Sequence, residues 1–192
     1  MIFPVTPERG TIIKRLNRFV VAADIRGNEI MAHLTSSGRL PKLMKAGNTA
    51  WFLPKSGTNR KTSHQIVLIE SDTGALVSVD AVLPNRLFRE AFEKKMMEEF
   101  SSCDSLRPEV SLGHSRYDFL LTGGEKNCYV EVKSVTLIKG DTAHFPDAPT
   151  ARGLKHVNGL ADITLEKNHA GAVVFIVQRN DALSFSPNAE TD

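Results

Sequence analysis

Residues 115–137 read SRYDFLLTGGEKNCYVEVKSVTL, and this stretch decides the fold of the second half of the chain. Two runs rich in β-branched and aromatic residues, 116–121 and 129–137, flank a Thr-Gly-Gly turn signal, which predicts a β-hairpin. Side chains alternate along a strand, so Glu131 and Lys133 share one face while Val130 and Val132 face a core. Pairing within the hairpin brings Asp118 close to Glu131.

The segments around the hairpin predict an α/β layer with a mixed sheet. Upstream, Asn85 is a plausible N-cap for an amphipathic helix whose apolar stripe is Phe88, Phe92, Met96 and Phe100. Downstream, a loop over 139–149 precedes a helix over 150–168. The strongly apolar run 172–178 then predicts a buried, central strand. The order helix, hairpin, helix, strand is typical of layered α/β domains.

The first 80 residues predict a small β-barrel. Five strand-like runs, 11–25, 29–34, 49–53, 63–70 and 75–81, are separated by polar turns. Five short strands favour a closed barrel such as the OB fold, which often binds oligonucleotides across one face. The expected fold class is therefore α+β, with an OB-like barrel over residues 1–82 and an α/β domain over 83–192.

The hairpin carries the residues best suited to chemistry. Asp118 and Glu131 are two carboxylates that could bind Mg²⁺ (or Mn²⁺) through oxygen, and Lys133 could stabilise charge that develops on a phosphate. A cation so placed would polarise a phosphodiester. The segment resembles the motif of PD-(D/E)XK nucleases, which often add a carboxylate from the preceding helix. Glu90 is the candidate for that carboxylate, and Glu109 is the alternative.

The charge distribution favours a polyanionic partner. Residues 1–80 hold 11 Lys+Arg against 6 Asp+Glu, residues 81–192 hold 13 against 16, and residues 30–69 hold no acid. Basic side chains in the barrel and at the start of the second helix are therefore candidate phosphate contacts. Those candidates are Arg15, Arg18, Arg39, Lys42, Lys45, Arg152, Lys155 and His156.

Several classes of protein are disfavoured by composition. No apolar run reaches the roughly 18 residues that span a bilayer, and residues 1–10, MIFPVTPERG, lack a signal-peptide pattern. Cys103 and Cys128 match no metal spacing and are expected to be reduced thiols. We therefore expect a cytoplasmic protein without a membrane partner.

Seven segments resemble the sugar fermentation stimulation protein family of bacteria and archaea, in the family's order. They are RLNRF (15–19), NRLFREA (85–91), SRYDFLL (115–121), YVEVKSVTL (129–137), FPDA (145–148), RGLKH (152–156) and FSPN (185–188). The resemblance implies an OB-like domain followed by a PD-(D/E)XK-like domain, DNA binding without strong sequence preference, and a link to regulating sugar (maltose) metabolism. The family usually has Asn at Ser36. Its members usually continue beyond residue 192, so the second domain is expected to lack its usual C-terminal end.

Three functions remain open on sequence grounds. The first is a non-enzymatic, non-sequence-specific DNA-binding protein. The second is a Mg²⁺-dependent nuclease that uses Asp118, Glu131 and Lys133, supported by Glu90 or Glu109. The third, a module for a sugar or phosphorylated metabolite, is disfavoured because Trp51 is the only tryptophan available for stacking on a sugar.

Overall fold

The structure is a computed structural model, and it describes residues 3, 5–36, 38–57, 60–165 and 169–191, apart from the side chain of Arg152. The chain forms two compact units. Unit 1 comprises Met1–Leu83, Ile138–Ala143 and Gln178–Phe185, and unit 2 comprises Pro84–Leu137, His144–Val177 and Ser186–Asp192. The first stretch of unit 1 ends at Leu83, one residue beyond the predicted domain boundary at residue 82. Two later segments that the sequence division assigned to 83–192 belong to unit 1.

Unit 1 contains a closed five-stranded barrel of the OB type, as the sequence predicts. The sheet order is β3-β2-β1-β4-β5-β6, and β3 also pairs with β5 in parallel through Ala32↔His64 and His33↔Gln65, which closes the barrel. The barrel strands are β1 (Glu8–Arg15), β2 (Val20–Ile25), β3 (Asn28–His33), β4 (Thr49–Pro54) and β5 (His64–Glu70), and a sixth strand, β6 (Leu76–Ser78), extends the sheet by pairing with β5.

Alternating apolar residues fill the barrel. Ile12, Phe52 and Ile66, from three different strands, are fully buried in one cluster. Gly10 is needed in β1, because a Cβ there would lie 2.5 Å from the carbonyl oxygen of Asp24 on β2. Each inward-facing side chain removes apolar surface from water, which is the main favourable term in folding.

The run 11–25 is two strands, so its prediction as one strand is wrong. Leu16 N–H donates to the Val20 carbonyl over 2.9 Å, and Asn17 Oδ1 accepts from Phe19 N–H over 2.9 Å. The asparagine side chain thus stabilises a tight turn that contains neither glycine nor proline. The sequence lacks the usual turn signal at this place.

Unit 2 has the mixed sheet that the sequence predicts. Its sheet order is β12-β9-β8-β7, with β12 parallel to β9 and the other neighbours antiparallel. Its elements are α1 (Leu83–Glu93), a 3-10 turn (Glu98–Phe100), β7 (Ser105–Leu112), β8 (Ser115–Thr122), β9 (Asn127–Val135), α2 (Ala151–Leu165) and β12 (His169–Val177). A further small sheet, of order β10-β11-β13, consists of β10 (Leu137–Lys139), β11 (Thr142–Phe145) and β13 (Ser184–Pro187).

The two faces of this sheet carry separate cores. Val130 packs in a cluster with Phe88 and Phe92 of α1, whereas Tyr129 packs with Leu160 of α2. Residues of β9 with odd numbers therefore face α2. That alternation places Glu131 and Lys133 beneath α2, away from the α1 core.

Three local predictions in unit 2 are wrong. The helix α1 ends at Glu93, and Met96 lies outside it with 71% of its surface exposed. Asn85 lies inside α1 and is not its N-cap. The apolar strand β12 is at the edge of its sheet, where Phe175 is 36% exposed. Within the described residues, no helix is long and apolar enough to cross a membrane.

Candidate functional site

The regular pairing of β8 with β9 ends at Phe119, and beyond that point the side chain of Asp118 lies between the two strands. The strands pair through Phe119↔Val130 and two further residue pairs. The next pair would join Asp118 to Glu131. Instead, Asp118 Oδ2 accepts the backbone N–H of Val132 over 2.7 Å. A carboxylate has replaced a backbone carbonyl as the acceptor, so Asp118 is fixed between the two strands.

Asp118 is held from a second direction by α1. Its Oδ1 accepts a hydrogen bond from Asn85 Nδ2 over 2.9 Å. Burial raises the pKa of Asp118, and the nearby charge of Glu131 acts in the same direction. The donors on Val132 and Asn85 and the charge of Lys133 oppose that rise. The carboxylate is thus a partly desolvated charge that any further cation would stabilise.

Glu131 is the most deeply buried acid of the site, with 7% of its side chain exposed. Its Oε1 accepts from Lys133 Nζ over 2.5 Å and from His156 Nδ1 over 2.6 Å. The imidazole donates in this contact when its Nδ1 carries a proton, in either the neutral or the charged ring. The ammonium comes from the same strand two residues on, and the imidazole comes from α2. One carboxylate oxygen therefore receives both donors.

The arrangement leaves oxygen atoms that suit a hard divalent cation. Within the described residues, Glu131 Oε2 and Asn85 Oδ1 carry no hydrogen bond, and neither is a buried orphan. Carboxylate and amide oxygens are ligands for such cations. The described residues contain no group of three or more His, Cys, Asp or Glu side chains that could hold a metal. The donor set fits a cation that keeps several waters and takes one or two carboxylates from the protein, as Mg²⁺ does.

The acids proposed from neighbouring elements lie elsewhere. Glu90 is about 140° around α1 from Asn85, and its Oε1 accepts from Lys94 Nζ over 2.6 Å. Glu109 on β7 pairs with Arg116, with Oε2 and Nε 3.0 Å apart. The structure brings neither residue to Asp118. The residue of α1 that does reach Asp118 is the neutral Asn85.

The barrel candidates for phosphate contact fall into two groups. Arg15 is occupied by backbone carbonyls, with contacts of 2.7 Å to both Arg18 and Arg39. Lys45 is paired with Asp72 over 2.6 Å. The side chains of Arg18, Arg39 and Lys42 are exposed, and none has an ion pair among the described residues. Of the barrel candidates, Arg18, Arg39 and Lys42 can therefore contact a ligand without first breaking an existing interaction with an acid or a backbone carbonyl.

The candidates on α2 also separate. His156 is buried against Glu131, so it belongs to the carboxylate cluster and is not an exposed phosphate contact. The side chain of Arg152 lies outside the described residues. Lys155 is exposed and lines a shallow groove of about 500 Å³, together with Ser115, Asn158 and Asp162.

Sequence reasoning missed the role of Asn85 and the true partner of His156. Asn85 lies just before the apolar stripe of α1, where an N-cap residue also occurs. The sequence therefore favoured a capping role and gave no sign of the contact with Asp118. For His156 a signal was present, because it lies four residues before Leu160 and therefore shares the buried face of the amphipathic helix α2. A polar residue on that face needs a buried partner.

Fold and site together define a class of protein: an OB barrel joined to an α/β unit with the element order of PD-(D/E)XK nucleases and a buried carboxylate–lysine–histidine cluster. The family descriptions "SfsA N-terminal OB domain" and "Sugar fermentation stimulation protein RE domain" match residues 13–79 and 82–192. The chain belongs to the sugar fermentation stimulation protein family.

Individual relatives agree with this assignment. The sugar fermentation stimulation protein homolog of Moorella thermoacetica is 44% identical over 96% of this chain and 79% of its own length. The homolog of Desulforamulus reducens is 41% identical over 98% and 78%. A solved structure, Pyrococcus furiosus SfsA in complex with Ca²⁺, is similar with a TM-score of 0.89 and 29% identity, over 100% of this chain and 81% of that one.

Proposed function

We propose that the protein is a divalent-cation-dependent nuclease that binds DNA with little sequence preference. The observation that carries the proposal is the fixed pair Asp118 and Glu131, with Lys133 on the same face of β9. The Pyrococcus furiosus relative was solved in complex with Ca²⁺, which supports divalent-cation binding by this chain as well. Mg²⁺ or Mn²⁺ is the cation we expect to support cleavage.

The chemistry divides between the cation and the side chains. A cation held by Asp118 and Glu131 would polarise a phosphodiester and would lower the pKa of a coordinated water. The N–H of Val132 and the amide of Asn85 hold the carboxylate of Asp118 in place. The imidazole of His156 holds the carboxylate of Glu131. Lys133 lies against Glu131 in the described structure, and its ammonium can stabilise charge that develops on a phosphate oxygen.

DNA affinity would come from exposed cations of the barrel and α2. Arg18, Arg39, Lys42 and Lys155 are the candidates that keep exposed side chains. If about four phosphates are neutralised, the logarithm of the binding constant should fall with the logarithm of salt at a slope of about −3.6. A salt-independent affinity, or a large preference for one sequence, would contradict this mode of binding.

Plasmid nicking with matched binding curves tests the nuclease proposal. Glu131→Gln should abolish Mg²⁺-dependent cleavage while leaving DNA binding in EDTA unchanged or slightly stronger, since it removes a repelling charge. Lys133→Ala should abolish cleavage and weaken binding slightly. Glu90→Gln is the matched control, because it neutralises an acid of the same unit that faces away from Asp118. Cleavage that persists in Glu131→Gln would refute the site.

A second candidate, DNA binding without cleavage, is favoured by one observation. Glu131 Oε1 already receives Lys133 and His156, which is how a buried ion pair without a catalytic role would also be satisfied. Absence of nicking by wild type with Mg²⁺ or Mn²⁺ would leave this function. Regulation of sugar (maltose) metabolism, which the family resemblance implies, needs only DNA binding. Unchanged maltose-gene transcripts in a strain lacking the protein would argue against it.

A further inference from the structure

The turn between β1 and β2 presents an exposed aromatic ring with one arginine beside it and the backbone of a second arginine tied to the same turn. Phe19 is 44% exposed, and the guanidinium carbon of Arg18 lies 5.4 Å from its ring centroid. Arg39 is also exposed, and its backbone is brought to the same place because Arg15 donates to the carbonyls of both Arg18 and Arg39. We call Arg18, Phe19 and Arg39 the turn patch.

A network of hydrogen bonds holds the backbone of the turn patch. Besides its bonds to Arg18 and Arg39, Arg15 donates to the carbonyls of Gly38 and Asn17, over 2.8 and 3.2 Å. Asn17 Oδ1 accepts the N–H of Phe19, and the Phe19 carbonyl accepts the N–H of Leu34 over 2.9 Å. A turn whose backbone is already held by hydrogen bonds loses little backbone freedom when a ligand covers it.

The chemistry of the patch matches an unpaired nucleotide. An exposed ring offers a stacking surface for a base, and flanking guanidiniums offer contacts to phosphates. A duplex hides its base faces in its own stack, so it could use only the cations. Loops of OB barrels at this position commonly contact nucleic acid.

We infer that the turn patch binds single-stranded DNA, with Phe19 stacking on an unpaired base and Arg18 and Arg39 contacting the neighbouring phosphates. The inference rests on the DNA binding proposed above and adds the form of DNA that the barrel selects. It concerns unit 1 alone and does not depend on the carboxylate cluster.

Fluorescence anisotropy in EDTA tests the inference with three labelled ligands of about 15 nucleotides: oligo-dT, an abasic strand and a duplex. Phe19→Ala should weaken oligo-dT binding by about 5- to 150-fold, the usual contribution of one stacked base. It should leave the abasic strand and the duplex unchanged. Phe19→Trp should restore oligo-dT binding. Leu16→Ala, an equally exposed apolar residue of the same turn at 43%, is the matched control and should have no effect.

The possible outcomes distinguish a failure of this inference from a failure of the proposed DNA binding. If wild type binds none of the three ligands, DNA binding itself is refuted and the inference with it. If wild type binds but Phe19→Ala weakens all three equally, or none, only the stacking inference is overturned. Should Phe19→Ala fail to fold, Phe19→Trp decides: its emission must change with oligo-dT and not with the abasic strand, against the Trp51 background of wild type.

Discussion

Removing the amide of Asn85 should weaken cation binding about tenfold without unfolding the protein. Asn85 Nδ2 donates to Asp118 Oδ1 over 2.9 Å. A hydrogen bond to a charged group contributes about 1.5–3 kcal/mol, and Asn85 is only half-buried, so the lower value applies. Loss of a residue that orients a metal ligand typically lowers affinity about 10- to 100-fold.

The effect can be measured as cation-dependent stability. At a Ca²⁺ concentration about 100 times the dissociation constant, wild type should gain about 2.7 kcal/mol in the free energy of unfolding. A tenfold weaker site in Asn85→Ala gains about 1.4 kcal/mol at the same concentration. For each protein, the gain is the difference between the free energies of unfolding measured with urea in Ca²⁺ and in EDTA. Isothermal titration of folded protein gives the affinities directly.

Two further variants make this prediction refutable. Asn85→Asp adds a carboxylate to the site, so it should lower stability in EDTA, through repulsion of Asp118, and raise the stabilisation by Ca²⁺. A residue that served only the packing of α1 would not show these opposite signs. Glu90→Gln should leave the stabilisation by Ca²⁺ as in wild type, although it also removes the ion pair with Lys94. Equal Ca²⁺ stabilisation of wild type and Asn85→Ala would refute the reasoning.

Three other expectations follow from the structure. Because burial raises the pKa of Asp118, its contribution to stability is full below the ordinary value of 3.8 and is lost as the pH rises through the folded-state pKa. In EDTA, Asp118→Asn should therefore lose less stability than wild type between acid and neutral pH, measured as urea midpoints. Gly159→Ala should destabilise by about 1–3 kcal/mol, because its Cβ would lie 2.5 Å from Tyr117 Oη. If Gly159→Ala instead stabilises the protein, as alanine does at an uncrowded helix position, then the side chain of Tyr117 has moved aside. Lys42→Glu should weaken DNA binding more than Lys45→Glu, because Lys45 is already in an ion pair; equal losses in anisotropy titrations would contradict this.

The elements of the fold follow from local sequence, but strand order does not. Alternation and turn residues predicted most barrel strands and the β8–β9 hairpin. The run 172–178 was misplaced because an apolar strand indicates burial and not which neighbours cover it. The strand β7 was missed because Pro108 interrupts it. Proline is tolerated there because β7 is at the sheet edge.

The candidate site was predictable where it depends on one hairpin. Alternation along β9 puts Glu131 and Lys133 on one face, where the two side chains are in contact. Asp118 lies on the neighbouring strand, but its carboxylate accepts the backbone N–H of Val132 where strand pairing with Glu131 was expected. The contributions of the helices were not predictable, since they depend on the rotation of each helix about its axis. That rotation selects Asn85 over Glu90, and it is set by the packing of Phe88 and Phe92.

Unit 1 cannot be completed in the order in which the ribosome makes it. The backbone of β6 is satisfied by the third stretch of unit 1: Ser78 N–H donates to the Gln178 carbonyl over 2.8 Å, and Leu76 N–H donates to Asn180 Oδ1 over 3.0 Å. These partners emerge only after the strands of the unit 2 sheet have been synthesised. A nascent chain ending near residue 83 therefore exposes the backbone groups of β6 to pairing with other chains. Cutting the gene at the barrel boundary would reproduce that state permanently, so the contributions of the two units are better separated by point substitutions in the intact chain.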